Sequence, residues 1–406
     1  MNTPAVQDFK DHGFLPSDPP CRRLSSPTYQ PWEEMISQLP ALIKSGKIRN
    51  ETKELPLLST KDLHHETEWR RAYVIMCFLA HGYIWASNPP AEQVLPSNIA
   101  VPLLETSNFL EVPPVATYAA LALWNCRKSE PGMIQLENLT VEHTFTGTDD
   151  EAWFYIVSVA IEAQGGPIIC LVASAISAMQ EKRYAAANEF LWELAVQISK
   201  LSDILGKIQE KCRPDVFFHE LRPFLQGSTK SAGLPRGIFY DEGHGKGSWR
   251  QLKGGSNGQS SLIQLLDIVL GVKHAPLQGK SSDAPQAESS ACFFRDMREY
   301  MPGPHRRFLG QIADHPNLRE LVGLSAGDEA HKELWEAYTA ATQSLTELRT
   351  RHLAIVTTYI IRPSRKSERQ EEKREELHGT GATVLVPFLK QARNETRQAG
   401  KEILAG

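Results

Sequence analysis

The sequence predicts a predominantly helical fold, and three observations along its 406 residues support this. Apolar residues recur three or four positions apart through most segments that could build a core. Few runs alternate between polar and apolar residues, as half-buried strands would, and no sequence repeat is evident. The composition, 41% hydrophobic and 23% charged, is that of a globular protein with one large domain and a smaller one, or two to three ordinary domains.

Apolar periodicity predicts helices in five segments. Segment 69–86 is apolar on all sides, which is typical of a buried helix. Segment 328–361 is expected to end at Pro363, because proline lacks the N–H that a continuing helix needs. If continuous, this helix would be about 50 Å long at roughly 1.5 Å per residue. The other predicted helices are 114–126, 153–163 and 182–212.

Three segments are predicted to be loops. Residues 226–258 are rich in glycine, serine and charged side chains, and residues 273–290 are rich in proline, serine and glycine. Residues 362–376 carry charges of both signs that nearly cancel, which favours a solvated, flexible segment. Order is expected to return at residue 379.

Charge and cysteine usage argue against several classes of protein. The formal net charge is −4 and the pI is about 6.4, which gives no electrostatic basis for binding nucleic acid or an anionic membrane. The six cysteines form no CxxC pair, which favours neither a zinc site nor a disulfide framework and suits a reducing, cytoplasmic compartment. The N-terminal residues lack the basic and apolar regions of a secretory signal.

The most apolar stretch, residues 153–179, is too interrupted to predict a membrane span. It contains Glu162, Gln164 and a Gly-Gly-Pro break, whereas a span needs about 18 uninterrupted apolar residues. A buried helix pair is predicted instead, and no membrane partner is expected.

A glycine- and serine-rich loop, GGSNGQSS at residues 254–261, precedes an apolar helical pattern. Such a loop could cradle a phosphate, but a phosphate-binding loop needs a lysine where this chain has Gln259, and no strand is evident before it. Two interpretations remain open. Spacing alone favours a turn that caps the following helix; the alternative is a loop whose backbone closely approaches a ligand.

One of the 13 histidines has unusual surroundings. On a helix, His352 shares an apolar face with Leu348 and Ile355. A histidine on such a face is most often a core residue, yet a neutral imidazole on a rigid helix is also what a haem pocket requires. Arg349 lies one turn earlier, where it could meet a haem propionate.

Aromatic residues cluster at 153–155 and 217–218, and Arg222 follows the second cluster. Such clusters most often belong to the core. The alternative is a pocket that stacks a flat apolar substrate while an arginine holds its carboxylate. Arg222 lies four or five residues after the phenylalanine pair, on nearly the same helical face, so one site could do both.

Eight stretches match, in order, those of a known family. The chain resembles the indoleamine 2,3-dioxygenases, haem enzymes that open the indole ring of tryptophan, and it looks like a fungal-type member. Together the stretches span most of the chain and are highly specific. They are QVLPSNIAVPLLE (93–105), VPPVATYAALALWN (112–125), FYIVSVAIE (154–162), FFHELRPFLQG (217–227), GGSNGQSS (254–261), MREYMPGPHRRFL (297–309), LRTRHLAIVTTYI (348–360) and GTGAT (379–383).

The resemblance implies an all-α, indoleamine 2,3-dioxygenase-like fold. A small N-terminal helical domain, residues 1–146, would cover the distal side of the haem. A large helical haem-binding domain, residues 147–406, would follow and carry a mobile loop at about 362–383 that closes on substrate. A monomer is expected.

The resemblance also implies roles for individual residues. His352 matches the proximal ligand of the haem iron, and Asp267 and Arg349 match an ion pair beside the haem. The residues that match the substrate site are Tyr118, Phe154 and Ser158 around the indole, Phe217 and Arg222 for stacking and for the carboxylate, Gly255, Ser256 and Asn257 in the loop over haem and substrate, and Thr380 in the mobile C-terminal loop.

Three residues of the implied haem pocket depart from the commoner family pattern. They are Leu121, Tyr155 and Asn257, where many relatives have cysteine, phenylalanine and alanine. None of the three removes a ligand, but each could change the affinity for substrate.

The implied reaction uses ferrous haem b and O₂ to cleave the C2–C3 bond of L-tryptophan, and both oxygen atoms enter N-formylkynurenine. This is the first step of the kynurenine pathway towards NAD, and an unidentified reductant would keep the iron ferrous. No protein acid or base is expected, because Ser158 lies where a peroxidase-like site would want a histidine. Two alternatives stay open: a haem- or indole-binding sensor with negligible turnover, and a low-affinity relative acting on another indoleamine.

Overall fold

Helices dominate the computed structural model, which describes residues 4–86, 91–129, 135–229, 234–275, 290–368, 379–380 and 385–401. The all-α prediction is confirmed, since these residues contain only five short strands. The α-helices are α1 Pro4–Phe9, α2 Gln30–Ser37, α3 Leu39–Lys44, α4 Ile48–Glu54, α5 Glu66–Trp85, α6 Ser97–Phe109, α7 Asp149–Ala163, α8 Gly165–Gln180, α9 Tyr184–Gly206, α10 Ile208–Lys211, α11 Pro214–Val216, α12 Ser261–Val269, α13 Ser290–Arg298, α14 Gly303–Ala313, α15 Leu318–Gly323, α16 His331–Val356, α17 Arg362–Glu368 and α18 Leu385–Ala399.

The long predicted helices are present with shifted ends. Helix α5 covers nearly all of segment 69–86 and is buried along most of its length. Helix α7 begins before residue 153, because the Thr148 hydroxyl accepts a hydrogen bond from the Glu151 N–H at 3.3 Å and acidic residues occupy the first turn. The predicted helix 182–212 is divided at Lys207 into α9 and α10.

The predicted helix at 114–126 is wrong over most of its length. Only a π-helical turn, Ala119–Leu123, forms there, and Cys126 already belongs to a strand. Pro113 and Pro114 stand in the non-helical segment before this turn. These prolines disfavour helical backbone only at the residues that precede them, 112 and 113, so they do not explain the non-helical backbone that follows Pro114.

The expected end of the last long helix at Pro363 is also wrong. Helix α16 ends at Val356, a π-helical turn follows at Thr357–Ile361, and α17 resumes with Pro363 as its second residue. Proline is tolerated in a first turn, where N–H groups have no intrahelical acceptor. Residues 362–368 are therefore helical, whereas most of the loops predicted at 273–290 and 362–376 lies outside the described residues.

Two small sheets were not predicted. Strands β1 (Val94–Leu95), β4 (Ile238–Gly243) and β5 (Lys246–Arg250) form one sheet in the order β1-β4-β5, with β1 parallel and β5 antiparallel to β4. Strands β2 (Cys126–Lys128) and β3 (Leu139–Val141) pair antiparallel, with Cys126 opposite Val141. The loop predicted at 226–258 thus contains a hairpin, and a strand does precede the glycine loop.

The core that positions the cavity lies where α16 packs along α9. Both helices bury one face completely: Leu191, Leu194, Ile198 and Leu201 on α9, and Ala337, Tyr338, Ala341 and Leu345 on α16. Helix α8 covers α9, and α18 lies against α16. The same α16 stripe continues towards His352, so the rigid packing of this helix fixes where His352 lies. The division of the chain at residue 146 stays a prediction.

The apolar segment 153–179 forms the pair α7 and α8, with Gln164 between them. By length and composition, Asp149–Gln180 could cross a membrane, but 61% of its most apolar window is buried inside the protein. Core helices of globular proteins share this composition.

Candidate active site

A cavity of about 240 Å³ lies between α7, α16, α18 and the glycine loop. Every predicted site residue except Asp267 lines it, although these residues are spread over more than 260 positions of sequence, roughly two thirds of the chain. They are Tyr118, Leu121, Phe154, Tyr155, Ser158, Phe217, Arg222, Gly255, Ser256, Asn257, Arg349, His352 and Thr380. The fold brings them together, while their roles towards haem and tryptophan stay predictions.

His352 lies near the C-terminal end of α16, among Leu348, Ile355 and Val356 on the cavity wall. Burial, reinforced by the charge of Arg349, lowers the pKa of its imidazole to about 4. The ring is therefore neutral at pH 7 and has a nitrogen lone pair available. Its side chain makes no hydrogen bond with the part of the chain that the structure describes.

Asp267 lies behind this wall and forms a buried ion pair with Arg349. Arg349 Nη2 lies 2.7 Å from Oδ1 and 2.7 Å from Oδ2 of Asp267. Burial alone would raise the pKa of Asp267, but the Arg349 charge and a hydrogen bond from His274 lower it. Since Arg349 lines the cavity, the pair fixes a cation at its edge.

Aromatic rings form another wall of the cavity. Phe154 and Phe217 lie 5.1 Å apart between ring centroids, and Phe217 meets Tyr359 edge-on at 5.8 Å. A π-helical turn, Phe217–Leu221, links this wall to Arg222, because the Arg222 N–H donates to the Phe217 carbonyl. This hydrogen bond, which joins residues five positions apart, holds Phe217 and Arg222 at the cavity. Burial lowers the pKa of the Arg222 guanidinium. Trp153, by contrast, points away and donates to the Lys207 carbonyl at 2.7 Å.

The glycine loop both caps a helix and approaches other groups closely. The Ser260 hydroxyl accepts a hydrogen bond from the Ile263 N–H at 3.3 Å, which caps α12. A Cβ at Gly255 would lie 2.4 Å from Leu121 Cδ1, and one at Gly254 would lie 2.1 Å from the Leu225 carbonyl oxygen. The interpretation as a helix-capping turn is therefore confirmed. The close approach shown here is to protein atoms, so the approach of this loop to a ligand stays a prediction.

Thr380 lies against the same loop. Its hydroxyl donates to the Gly255 carbonyl at 2.7 Å, and the Gly254 N–H donates to the Thr380 carbonyl at 3.1 Å. Two hydrogen bonds thus hold residue 380 of the predicted mobile loop at the cavity rim. The residues on either side, 369–378 and 381–384, lie outside the described residues.

Glu162 carries a functional signal that the sequence analysis missed. This fully buried carboxylate accepts hydrogen bonds from the Ser260 hydroxyl and, at 3.2 Å, from the Tyr118 hydroxyl. Burial outweighs these bonds and raises the pKa of Glu162 to about 7. Tyr118 and Ser260 both line the cavity, so an acid that titrates near neutral pH stands directly behind its wall. The available signal was an acidic residue within the apolar part of α7, well after its acidic first turn.

His81 was also missed. Its Nδ1 donates to the Phe224 carbonyl at 2.7 Å, and its Nε2 accepts from the Ala116 N–H at 3.1 Å. Burial lowers the pKa of His81 to about 4, so the ring stays neutral and bridges the segments that carry Arg222 and Tyr118.

Helices α13 and α18 supply a further wall that the sequence analysis did not assign. The residues are Phe293, Phe294, Leu385, Phe388, Leu389 and Ala392. The spacing of the last four, at intervals of three or four, is that of one helical face and could have indicated it.

Comparison with known proteins adds to this geometry. The indoleamine 2,3-dioxygenase family model matches residues 6–399. The chain belongs to the indoleamine 2,3-dioxygenase family. An indoleamine 2,3-dioxygenase of Saccharomyces cerevisiae is 41% identical, over 95% of this chain and 90% of that protein. One from Aspergillus nanangensis is 38% identical, over 95% and 94%. A 6-hydroxytryptophan 2,3-dioxygenase of Fusarium equiseti is 35% identical, over 95% of each chain.

The chain is therefore a dioxygenase, and the predicted likeness to fungal members is confirmed. Enzymes of the indoleamine 2,3-dioxygenase family depend on haem, and the residues present fit that group. The neutral imidazole of His352, which makes no hydrogen bond to the described residues, faces an apolar cavity, where it would be able to hold the haem iron. Within the described residues, no cluster of three or more His, Cys, Asp or Glu could hold a bare metal ion instead.

Proposed function

We propose that this dioxygenase uses haem b to cleave the C2–C3 bond of L-tryptophan with O₂, giving N-formylkynurenine. One observation carries the proposal: the neutral imidazole of His352 and the guanidinium of Arg222 line one cavity with the ring of Phe154. Such a cavity offers an iron ligand, a partner for a carboxylate and an aromatic surface for an indole.

His352 would hold the haem iron, and Arg349 would face a propionate while Asp267 keeps its guanidinium in place. Haem supplies the activation of O₂, which no side chain can provide. The remaining work of the chain is to bind and orient the substrate and to exclude water.

Arg222 is assigned to the substrate carboxylate. Its guanidinium is partly buried, where a charge-assisted hydrogen bond is stronger than in water. Phe154 and Phe217 would stack on the indole and hold it in one orientation. The hydrogen bonds between Thr380 and the glycine loop support a rim that closes over bound substrate.

No acid–base histidine is assigned. His352 is the one histidine among the described lining residues, and Ser158 also lines the cavity, with its hydroxyl donating to the Phe154 carbonyl at 3.2 Å. The substrate N–H therefore needs no side-chain base in this proposal.

Two measurements test the proposal. The absorption spectrum of the purified protein, reconstituted with haem, should show a Soret band that His352→Ala weakens or shifts; an unaltered band would remove His352 as the ligand. Anaerobic reduction followed by O₂ and L-tryptophan should yield N-formylkynurenine, and no product at millimolar substrate would favour a haem- or indole-binding sensor.

A second candidate is a low-affinity enzyme for another indoleamine. The Fusarium relative is named for 6-hydroxytryptophan, and the pocket departures Leu121, Tyr155 and Asn257 all line the cavity of this chain. Comparing kcat/KM for tryptophan, 6-hydroxytryptophan and tryptamine separates the candidates, because tryptamine lacks the carboxylate assigned to Arg222.

The proposal includes a cytoplasmic monomer supplied with electrons by an unidentified reductant. The five cysteines whose side chains the structure describes are free, which supports a reducing compartment. The net charge of −4 supports neither nucleic acid nor an anionic membrane as a partner.

A further inference from the structure

A histidine next to α12 joins two carboxylates from different helices. His274 Nε2 lies 3.1 Å from Oδ2 of Asp267, and its Nδ1 lies 2.6 Å from Oε2 of Glu395 on α18. The His274 side chain is only 11% exposed, and those of Asp267 and Glu395 are 7% and 12% exposed. Both ring nitrogens therefore face a carboxylate in a largely buried environment. Since a carboxylate can only accept, both ring nitrogens must carry a proton if both hydrogen bonds are to form.

The same cluster attaches α18 to the rest of the protein. Glu395 Oε1 accepts from the Ala275 N–H at 2.9 Å, and Gln391 Nε2 donates to the Ala275 carbonyl at 2.9 Å. From the other side, Arg349 Nη1 donates to the Ala392 carbonyl at 2.9 Å. Helix α18 is thus held at two points, Glu395 through His274 and Ala392 through Arg349. Asp267 connects these two points, because it binds both His274 and Arg349.

Helix α18 is also a wall of the cavity. Leu385, Phe388, Leu389 and Ala392 face it. The Phe294 ring contacts both Phe388 and His274, with ring centroids 5.4 Å and 4.2 Å apart, respectively. A shift of α18 would therefore move apolar side chains that line the site.

The charges around His274 favour its protonated form. Asp267 of α12, Glu395 of α18 and Arg349 of α16 face it, and Arg298 of α13 lies near Asp267. Burial opposes a charge on His274, but the hydrogen bonds to Asp267 and Glu395 outweigh it and raise the pKa of the imidazole. The pKa values of both carboxyls are lowered, so they stay ionised.

We propose that the His274 imidazolium is a positioning residue that clamps α18, and with it one wall of the active-site cavity, to the Asp267–Arg349 pair. Loss of the proton removes one of its two hydrogen bonds and leaves two carboxylates facing a neutral ring. The clamp is complete at acidic pH and weakens as the pH rises.

The pH window follows from the direction of the pKa change. A histidine whose folded pKa is raised contributes its full stabilisation below its ordinary pKa of about 6.5, and this contribution is lost as the pH rises through the raised value. The attachment of α18 should therefore weaken as the pH rises above about 6.5 and through the raised pKa of His274, while Asp267 and Glu395, whose pKa values are lowered, remain ionised.

Hydrogen exchange of the full chain as purified, followed by mass spectrometry from pH 6 to pH 9, tests this. Protection of the α18 amides, after correction for intrinsic exchange, should fall roughly tenfold across this range, the scale of one charge-assisted hydrogen bond. His274→Gln should show the low protection at every pH. His274→Lys, which stays charged, should retain more protection than His274→Gln at pH 9.

Protection in the buried part of α9 is the internal control, since it falls only if the whole protein is destabilised. His315→Gln is the matched control variant, because that histidine is exposed and its side chain is outside the cluster. The proposal is wrong if the protection of wild-type α18 is constant from pH 6 to pH 9. It is also wrong if α18 in His274→Gln is protected as well as in the wild type at both pH 6 and pH 9. Neither result depends on turnover of tryptophan.

Discussion

Glu162 offers a direct test of the polar cluster behind the cavity. The substitution Glu162→Gln keeps the size of the side chain and removes its titration. The carboxyl is fully buried in α7, and its hydrogen bonds from Ser260 and Tyr118 do not offset the loss of water, so its pKa rises from an ordinary value near 4.5 to about 7. The buried site therefore disfavours the ionised carboxylate.

The size of this effect follows from the two pKa values. Moving a carboxyl pKa from near 4.5 to about 7 corresponds to about 3 kcal/mol, at 1.36 kcal/mol for each pKa unit. The folded state binds this proton more tightly than the unfolded state, so the wild type loses stability as the pH rises from 4.5 to 7. The glutamine variant does not, and its stability relative to the wild type should rise by about 2.5 kcal/mol between pH 5 and pH 8.

Urea unfolding of both proteins at pH 5, 6, 7 and 8, at matched haem content, measures this difference. Subtracting the unfolding free energy of one protein from that of the other cancels the contributions of the titrating groups whose surroundings are the same in both, including that of His81. A difference in unfolding free energy that is the same at pH 5 and pH 8 would refute the reasoning, because the carboxyl would then titrate alike in the folded and unfolded chain.

Three other outcomes are expected. Arg222→Ala should raise KM for L-tryptophan at least tenfold while the Soret band is kept, because a charge-assisted bond is worth about 1.5–3 kcal/mol; an unchanged KM would contradict the assignment. Asp267→Asn should lower the unfolding free energy by about 3–5 kcal/mol, since it leaves the Arg349 charge buried without its carboxylate, and a loss below about 1 kcal/mol in urea unfolding would count against the pair. Gly254→Ala should lower the free energy of unfolding by about 1–3 kcal/mol or more, because the new Cβ would clash with the Leu225 carbonyl oxygen. An unchanged melting temperature would show instead that the loop backbone can shift to accept the Cβ.

Two substitutions serve as matched controls. Asp203→Asn removes a carboxylate whose pair with Arg351 is exposed, and should cost only about 0–1 kcal/mol. Gly310→Ala adds a Cβ within helix α14 where no atom lies within 4 Å, so it should leave the protein equally stable or slightly stabilise it.

The helices could be predicted because they depend on local spacing. Helices α9 and α16 each bury a face whose residues recur every three or four positions, and α5 is apolar along most of its length; the sequence displays both patterns directly. The β4–β5 hairpin was missed because its strands are short and only partly buried. Its turn, where Gly243, His244 and Gly245 all have positive φ, was the one local signal.

From spacing alone, candidate site residues could be named only where they lie close together in the sequence. Arg349 and His352 are three residues apart, and Phe217 and Arg222 are five residues apart, and both pairs attracted notice in this way. Glu162 and Ser260 are 98 positions apart, and His274 and Glu395 are 121 positions apart. No periodicity links residues at such distances, because the fold alone decides which of them meet.

The three π-helical turns have a consequence for how this cavity can change. They span Ala119–Leu123, Phe217–Leu221 and Thr357–Ile361, and each contributes residues to the cavity. A π-helical turn holds one residue more than an α-helical turn, so it rotates everything that follows on its helix. Substitutions in these turns therefore change which chemical groups line the cavity. Deleting a single residue would instead rotate the neighbouring side chains so that they no longer face the cavity. The number of residues in these turns, and not only their identity, determines which side chains share the cavity.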